Sequence, residues 1–115
     1  MSSLTLYGLK NCDACKTALK ALAAAGRDVS LIDIRAEADL SAKLPGWLEA
    51  AGSDRLINTR STTWRGLDET QRGRAQSDPA GLLGEHPTLI KRPVLEAGGV
   101  VHVGWTKDVQ AALGV

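Results

Sequence analysis

The sequence predicts an α/β fold in one domain, residues 1–115, with the element order β-α-β, a helical middle and β-β-α. Three observations support this prediction. An alternating apolar segment near the start precedes a stripe of apolar residues at helical spacing. Two apolar runs near the end flank a pair of glycines, which is typical of a hairpin. Helix-capping residues occur between these two regions.

The first third of the chain is predicted to form a β-α-β unit. Residues 3–8 are predicted to form a short strand that ends at Gly8, and residues 28–34 a second strand. The apolar stripe between them consists of Cys15, Ala18, Leu19, Leu22 and Ala25. Gly26 is a suitable residue to end this helix. A helical crossover of this kind makes the two strands parallel.

The middle of the chain, about residues 39–87, is predicted to be a helical insertion after the second strand. One helical face is formed by Leu44, Trp47, Leu48 and Ala51. Pro45 suits a first helical turn better than a helix interior. Asp68-Glu69 is expected to begin a short helix, and Asp78-Pro79 is a cap followed by a first-turn proline.

The last third is predicted to form a hairpin followed by a helix. Residues 94–97 and 100–103 are apolar runs, and Gly98-Gly99 between them forms the turn. Thr106 is expected to cap the last helix. The apolar face of that helix is predicted to be Val109, Ala112 and Leu113.

The composition is that of an ordinary globular protein. Fourteen basic and 13 acidic residues leave a net charge of +1, which does not favour nucleic acid or a membrane surface as a partner. No apolar run approaches the roughly 20 residues that a membrane span needs. Residues 1–3 do not begin a signal peptide pattern, and the two cysteines form no wider disulfide framework. We therefore expect a cytoplasmic protein.

Both cysteines lie in one motif, Cys12-Asp13-Ala14-Cys15, at the predicted turn between the first strand and the first helix. The unpaired N–H groups and the dipole at a helix N-terminus stabilise an anion, so Cys12 is placed to react as a thiolate. Cys15 is the first residue of the apolar stripe. We expect Cys12 to be the exposed nucleophile and Cys15 to be a more buried resolving thiol.

The cysteine pair is also compatible with two roles that involve no redox chemistry. Buried cysteines occur as inert small hydrophobic residues. A zinc site would need His86 and His102, the two histidines of the chain, to converge on the cysteine pair, because a tetrahedral site takes four ligands. These histidines are not spaced as a local ligand pair, so we expect no metal.

Four segments resemble motifs of the arsenate reductase / Spx / YffB (ArsC-like) family. They are residues 6–13 (Leu-Tyr-Gly-Leu-Lys-Asn-Cys-Asp), 58–65 (Asn-Thr-Arg-Ser-Thr-Thr-Trp-Arg), 86–93 (His-Pro-Thr-Leu-Ile-Lys-Arg-Pro) and 103–105 (Val-Gly-Trp). The first two make the chain most similar to the YffB branch. The resemblance implies a thioredoxin-like fold with the helical insertion after its second strand. It also implies that Cys12 is the catalytic cysteine.

The resemblance implies roles for two arginines, Arg60 and Arg92. In arsenate reductases of this family, arginines at these motif positions and a third arginine after the hairpin hold the oxyanion. A guanidinium also stabilises a nearby thiolate. The third position has no arginine here, because residues 101–105 are Val-His-Val-Gly-Trp, which argues against arsenate as the substrate. Arg65, beside Trp64, is a weaker candidate for a cation–π contact.

Three further residues are candidates for substrate binding: Asn11, Tyr7 and Pro93. Asn11 precedes Cys12 within the family motif, and Tyr7 is expected to point near the turn that follows the first strand. Thioredoxin-like folds place a cis proline beside the active cysteine, where the backbone before it pairs with an extended thiol substrate. The resemblance implies that the Arg92-Pro93 peptide bond is this cis bond.

Together these features predict a thiol–disulfide oxidoreductase of the ArsC/YffB type with glutathione as co-substrate. In this hypothesis Cys12 attacks the oxidised substrate, Arg60 and Arg92 stabilise thiolate or oxyanion charge, and glutathione or Cys15 resolves the intermediate. Two alternatives follow from the same resemblance. One is an Spx-like regulator that binds RNA polymerase and is switched by its cysteine pair, and the other is an arsenate reductase. We expect a monomer.

Overall fold

The computed structural model describes residues 3–115, and over this range the fold is mixed α/β. The elements are β1 (Ser3–Gly8), α1 (Asp13–Ala24), β2 (Asp28–Asp33), α2 (Leu40–Ala51), α3 (Ser53–Leu56), α4 (Thr62–Arg65), α5 (Glu69–Ser77), α6 (Pro79–Glu85), a 3₁₀ turn (Pro87–Leu89), β3 (Val94–Ala97), β4 (Val100–Val103) and α7 (Lys107–Leu113). The chain divides into two compact units. One consists of residues 1–38 and 92–115, and the other of residues 39–91.

The first unit contains a four-stranded sheet in the order β2-β1-β3-β4. β1 pairs with β2 in parallel, with Leu6 opposite Leu31, and it pairs with β3 antiparallel, with Leu6 opposite Leu95. β3 and β4 form an antiparallel hairpin whose turn is Gly98-Gly99. Both turn glycines have positive φ, which a residue with a side chain rarely adopts. This β-α-β and β-β-α arrangement is the thioredoxin-like fold, as predicted.

The core of the first unit joins the sheet to α1 and α7. Its buried residues are Leu4, Leu6, Cys15, Ala18, Leu22, Leu95, Val109 and Leu113. Leu4 and Leu6 alternate along β1 and therefore share one face of the sheet. The Arg27 guanidinium donates a hydrogen bond of 2.6 Å to the carbonyl of Leu113 at the end of α7. Of the predicted helical stripe, Cys15, Ala18 and Leu22 are buried in this core and Leu19 packs against it. The prediction is wrong for Ala25, because α1 ends at Ala24 and Ala25 is exposed.

The second unit, residues 39–91, is helical apart from an isolated antiparallel bridge between Ile57 and Ile90. Its most deeply buried side chains are Leu44, Trp47, Leu56, Leu82, Leu83, Leu89 and Ile90. The helices begin at capping side chains: Asp39, Ser61, Asp68 and Asp78 each accept a hydrogen bond from a first-turn N–H. The predicted helix start at Asp68-Glu69 and the predicted cap at Asp78 are confirmed.

Two further local predictions are wrong. Pro45 lies inside α2, which begins five residues earlier at Leu40 behind the Asp39 cap. Because Pro45 has no N–H, the Ser41 carbonyl has no helical hydrogen-bond donor. Ser41 is exposed, so water is able to donate a hydrogen bond to that carbonyl. Ala112 is also exposed, because α7 turns only Val109 and Leu113 towards the core.

Within residues 3–115, none of the helices combines the length and the apolar character that crossing a membrane requires.

Candidate functional site

Cys12 is the N-cap residue of α1. Its backbone is extended (φ −84°, ψ 122°), its carbonyl accepts a hydrogen bond of 2.9 Å from the Lys16 N–H, and its own N–H donates to the Leu9 carbonyl at 3.2 Å. The side chain is half-buried and takes part in no capping hydrogen bond. The first-turn amides of α1 lack helical acceptors, so positive charge from these N–H groups lies beside the Cys12 sulfur.

Cys15 lies one turn further along α1 and is fully buried. Burial raises the pKa of this thiol from 9.0 to about 11, and a hydrogen bond to the Cys12 sulfur and the negative charge on Cys12 act in the same direction. The Leu9 amide and the positive charge of Arg92 oppose the rise and do not overcome it. Cys15 therefore carries its proton at neutral pH and is able to donate it to the Cys12 sulfur.

Gly8 provides the space in which the Cys15 sulfur sits. A Cβ atom added to Gly8 would overlap Cys15 Sγ and would also lie 3.2 Å from Leu6 Cδ2. The absence of a side chain at the end of β1 thus allows the first turn of α1 to pack directly on the strand. The sequence pattern marked Gly8 only as a strand end, because the identity of its neighbour depends on how the helix folds back.

Arg92 and Pro93 precede β3 in the same unit as the cysteines. Arg92 is half-buried, and within residues 3–115 its guanidinium forms no hydrogen bond or ion pair. The Arg92-Pro93 peptide bond is cis, which confirms the prediction made from the resemblance. The Pro93 carbonyl accepts a hydrogen bond of 2.8 Å from the N–H of Gly104, a buried glycine with φ +83°.

The other two residues predicted to bind substrate differ in exposure. Asn11 is exposed next to Cys12 in the chain. Tyr7 is only 4% exposed, and its hydroxyl donates a hydrogen bond of 3.2 Å to Glu96 on β3. Alternation along β1 places Tyr7 on the face of the sheet opposite Leu6. A contact between Tyr7 and substrate stays a prediction.

Arg60 lies in the second unit, on the segment between α3 and α4. Its side chain is exposed, while its backbone N–H and its backbone carbonyl are both hydrogen-bonded. The Arg60 N–H donates to Asn58 Oδ1 at 3.1 Å, and Arg65 Nη2 donates to the Arg60 carbonyl at 3.0 Å. The Asn58 N–H in turn donates to the Leu89 carbonyl at 2.7 Å. Asn58 and Arg65 therefore position the Arg60 loop, a role that sequence reasoning missed.

The cation–π contact expected of Arg65 is made by a different arginine. The guanidinium of Arg72 on α5 lies 5.7 Å from the centroid of the Trp64 ring. Arg65 is instead engaged with the Arg60 carbonyl. Adjacency to Trp64 was a misleading signal, because neighbours in a short helix point in different directions.

Within residues 3–115, no group of three or more His, Cys, Asp or Glu side chains is placed to hold a metal ion.

Comparison with known proteins places these features in a family context. The ArsC family profile matches residues 7–113. An uncharacterized protein of Haemophilus influenzae is 42% identical over 112 residues, which cover 95% of this chain and 97% of that protein. The solved structure of a YffB protein is 33% identical, with a TM-score of 0.83 over 96% of this chain and 98% of that one. An arsenate reductase (ArsC) related protein from Brucella melitensis is also 33% identical, with a TM-score of 0.76 over 98% and 96% of the two chains.

The packing of Cys15 on Gly8 predicts a coupled mutational effect. Gly8→Ala should lower the free energy of unfolding by about 1–3 kcal/mol, because the added Cβ displaces the Cys15 sulfur or the strand. Cys15→Ala removes the overlapped atom, so the double variant should lose less than the sum of the two single losses. Urea unfolding of the four proteins measures this coupling, and strictly additive losses would contradict the assigned contact.

The pKa of Cys15 predicts a loss of stability at alkaline pH. The folded chain keeps a proton up to about pH 11 that the unfolded chain releases near pH 9. The resulting stabilisation is complete below pH 9 and is lost as the pH rises towards 11, by about 1 kcal/mol per pH unit. Urea unfolding at about pH 8 and about pH 10 should show a smaller decline for Cys15→Ala than for the wild type.

Cys12→Ser is the matched control for this pH dependence, because it removes a thiol and leaves Cys15 buried. It should retain most of the wild-type decline. Equal declines in the wild type and Cys15→Ala would show that Cys15 titrates normally in the folded protein.

Proposed function

Because this chain belongs to the ArsC family, we propose that it is a thiol–disulfide oxidoreductase with Cys12 as its nucleophile and glutathione as its co-substrate. The observation that carries the proposal is the contrast between two cysteines on one helical turn. Cys12 is half-exposed at the helix N-terminus, whereas Cys15 is fully buried and keeps its proton. An accessible sulfur beside unpaired amides is the environment in which thiolates react.

The proposed reaction begins with attack of the Cys12 thiolate on one sulfur of a glutathione mixed disulfide. The substrate's S–S bond breaks, the substrate thiol leaves and takes up a proton, and Cys12 becomes bonded to glutathione. A second glutathione thiolate then attacks the glutathione sulfur on Cys12. This step forms glutathione disulfide and returns Cys12 to the thiolate. In the net reaction, the mixed disulfide and one glutathione thiol become the substrate thiol and glutathione disulfide.

Cys15 offers a second route for resolving the intermediate. Its sulfur is within hydrogen-bonding reach of Cys12, so it is able to attack the Cys12 sulfur and release glutathione once its proton has left. Burial and the retained proton make Cys15 a slow attacking group at neutral pH. We therefore propose glutathione as the main resolving thiol and the Cys12–Cys15 disulfide as the slower route.

Two arginines are proposed to assist this chemistry by charge. The effect of Arg92 on the Cys15 pKa means that its positive charge reaches the cysteine pair, and its guanidinium has no competing partner within residues 3–115. Arg60 has a fixed backbone and an exposed side chain. We propose that both stabilise anionic groups of the substrate. Asn11 and Pro93, next to Cys12 and Arg92 in the chain, are proposed as further contacts.

A disulfide substrate is proposed in preference to arsenate. The family position at which arsenate reductases carry a third arginine falls within residues 101–105, the end of β4 and the turn after it, and no arginine is present there. A planar guanidinium matches an oxyanion with two parallel hydrogen bonds, so the absence of this arginine weakens the binding of arsenate more than the binding of a disulfide. We propose the cytoplasm as the compartment, since glutathione keeps thiols reduced there.

Turnover of a glutathione mixed disulfide tests the proposed reaction. The reduced wild type should release the substrate thiol catalytically in the presence of glutathione, and Cys12→Ser should reduce the rate by at least about 100-fold. Cys15→Ser serves as the matched control and should retain most of the activity. No turnover by the wild type, or full turnover by Cys12→Ser, would exclude the mechanism.

Substrates with and without carboxylates test whether Arg92 and Arg60 act through their positive charge. Arg92→Ala and Arg60→Ala should each lower kcat/KM for a glutathione mixed disulfide by about tenfold, as expected for the loss of a charge-assisted contact. The same substitutions should lower kcat/KM much less for a mixed disulfide with cysteamine, because cysteamine lacks the carboxylates of glutathione. Arg35→Ala and Arg55→Ala, which remove exposed arginines in the first and second unit, are the controls. Equal losses for both substrates would argue for a structural role instead.

A further inference from the structure

The second unit contains a surface cavity of about 600 Å³ that the proposed reaction does not use. It is formed by α3, α5, Trp64 of α4 and the residues between α3 and α4. The residues that line it are Ser53, Asp54, Ile57, Thr59, Trp64, Arg72, Gly73, Ala75 and Gln76. A cavity of this size lies within the usual range for small-molecule sites, roughly 300–1,000 Å³.

The aromatic wall of this cavity is held in place by Arg72. Its Nε donates to the Trp64 carbonyl at 3.3 Å and its Nη2 to the Arg65 carbonyl at 3.2 Å, while the guanidinium lies over the Trp64 ring. These contacts fix a cation and an aromatic ring side by side before any ligand arrives. A preformed arrangement reduces the entropy that binding must overcome.

Among residues 3–115, no opposite charge pairs with either of the two charged residues that line the cavity. Within residues 3–115, Asp54 forms no ion pair or hydrogen bond through its carboxylate, and Arg72 forms no ion pair. Arg72 Nη1 also lacks a hydrogen-bond partner in this part of the chain. Arg74, two residues along the same helix, is paired with both Asp78 and Glu85. Asp54 and Arg72 thus bring opposite, unpaired charges to one cavity.

We propose that this cavity binds a small zwitterion with an apolar body, the chemistry shared by free amino acids and short peptides. The ligand's carboxylate pairs with Arg72, its ammonium group pairs with Asp54, and its body lies against Trp64 and Ile57. Ser53, Thr59 and Gln76 supply polar groups that orient the ligand. No cysteine lines the cavity, so a test of this proposal does not depend on the thiol chemistry.

The two-charge lining argues against simpler ligands. A simple anion would gain from Arg72 but would be repelled by Asp54, and a simple cation would face the reverse. A neutral apolar molecule would leave both charges partly desolvated without a partner, which is unfavourable. A zwitterion satisfies both groups, so removing either of its charges should weaken binding.

Titrations of the ¹⁵N-labelled, reduced full chain with two probes test the proposal. L-Phenylalanine represents a free amino acid, and S-methylglutathione represents a peptide that has no thiol to react with Cys12. At least one probe should cause saturable shifts of the Trp64 indole N–H and of the amides of Asp54, Thr59 and Gly73. The probe that binds more tightly identifies which source of the zwitterion the site prefers.

Charge-deleted probes and a matched pair of variants complete the test. If L-phenylalanine is the ligand, N-acetyl-L-phenylalanine and L-phenylalaninamide, which each lack one of its charges, should bind at least about tenfold more weakly. If the peptide is the ligand, the corresponding blocked peptides are used in the same way. Asp54→Asn should weaken binding of the zwitterion by a similar factor. Asp108→Asn, which removes an exposed carboxylate on α7, should leave that binding unchanged.

Three results would overturn the proposal. They are the absence of saturable shifts at the cavity with either probe at millimolar concentration, equal binding of the charged and charge-deleted probes, and equal binding by Asp54→Asn and the wild type. Asp54 also lies in the first turn of α3, where a carboxylate is favourable. Urea unfolding of Asp54→Asn therefore accompanies the titrations, so that lost binding is not confused with lost folding.

Discussion

The close approach of Cys15 Sγ to Gly8 is the contact on which the arrangement of the thiol site depends. It sets the first turn of α1 directly against the end of β1, where a side chain would keep the two apart. From there Ala18 and Leu22 continue the buried stripe along the sheet. Cys12, three residues before Cys15, is consequently left at the helix N-terminus and half-exposed. The same contact that buries one sulfur therefore presents the other.

The electrostatics of the two cysteines follow from this difference in burial. For Cys15, desolvation outweighs the opposing effects of the Leu9 amide and the positive charge of Arg92, so the thiol form is favoured. A protonated Cys15 is a hydrogen-bond donor to the Cys12 sulfur, and the helix amides add positive charge on the same side. The nearby Arg92 acts on the pair without being neutralised by another described residue. Cys12 therefore has the more accessible of the two sulfurs, and Cys15 the buried, protonated one.

Much of the fold was predictable because its determinants are local. The β1-α1-β2 order, the helix start at Asp68-Glu69, the Asp78 and Thr106 caps and the glycine hairpin turn are confirmed, since each depends on residues close in sequence. The cis bond before Pro93 followed from the family resemblance rather than from its own sequence. Pro45 was placed wrongly because the Asp39 cap, not the proline, decides where α2 begins. The burial pattern of α7 was also misjudged at Ala112, because tertiary packing determines how wide a helix face is covered.

The site residues named from the sequence stay predictions, and the residues that position them were not foreseen. Cys12, Cys15 and Arg92 share the first unit, and Arg60 lies in the second. Gly8, Asn58 and Arg72 were missed, because each acts through a contact that appears only when the chain folds. Arg72 is separated from Trp64 by eight residues and a helix boundary, so adjacency in sequence pointed to Arg65 instead.

The central claim is that Cys12 is the reactive cysteine, and that Cys15, one turn further along α1, is unreactive because it is buried. The most direct measurement is the rate at which iodoacetamide alkylates each cysteine of the reduced protein at neutral pH, resolved by mass spectrometry of the peptides. The account predicts labelling of Cys12 at least about 100-fold faster than that of Cys15, which becomes reactive only when urea unfolds the chain. Comparable rates for the two cysteines in the folded protein, or faster labelling of Cys15, would contradict it.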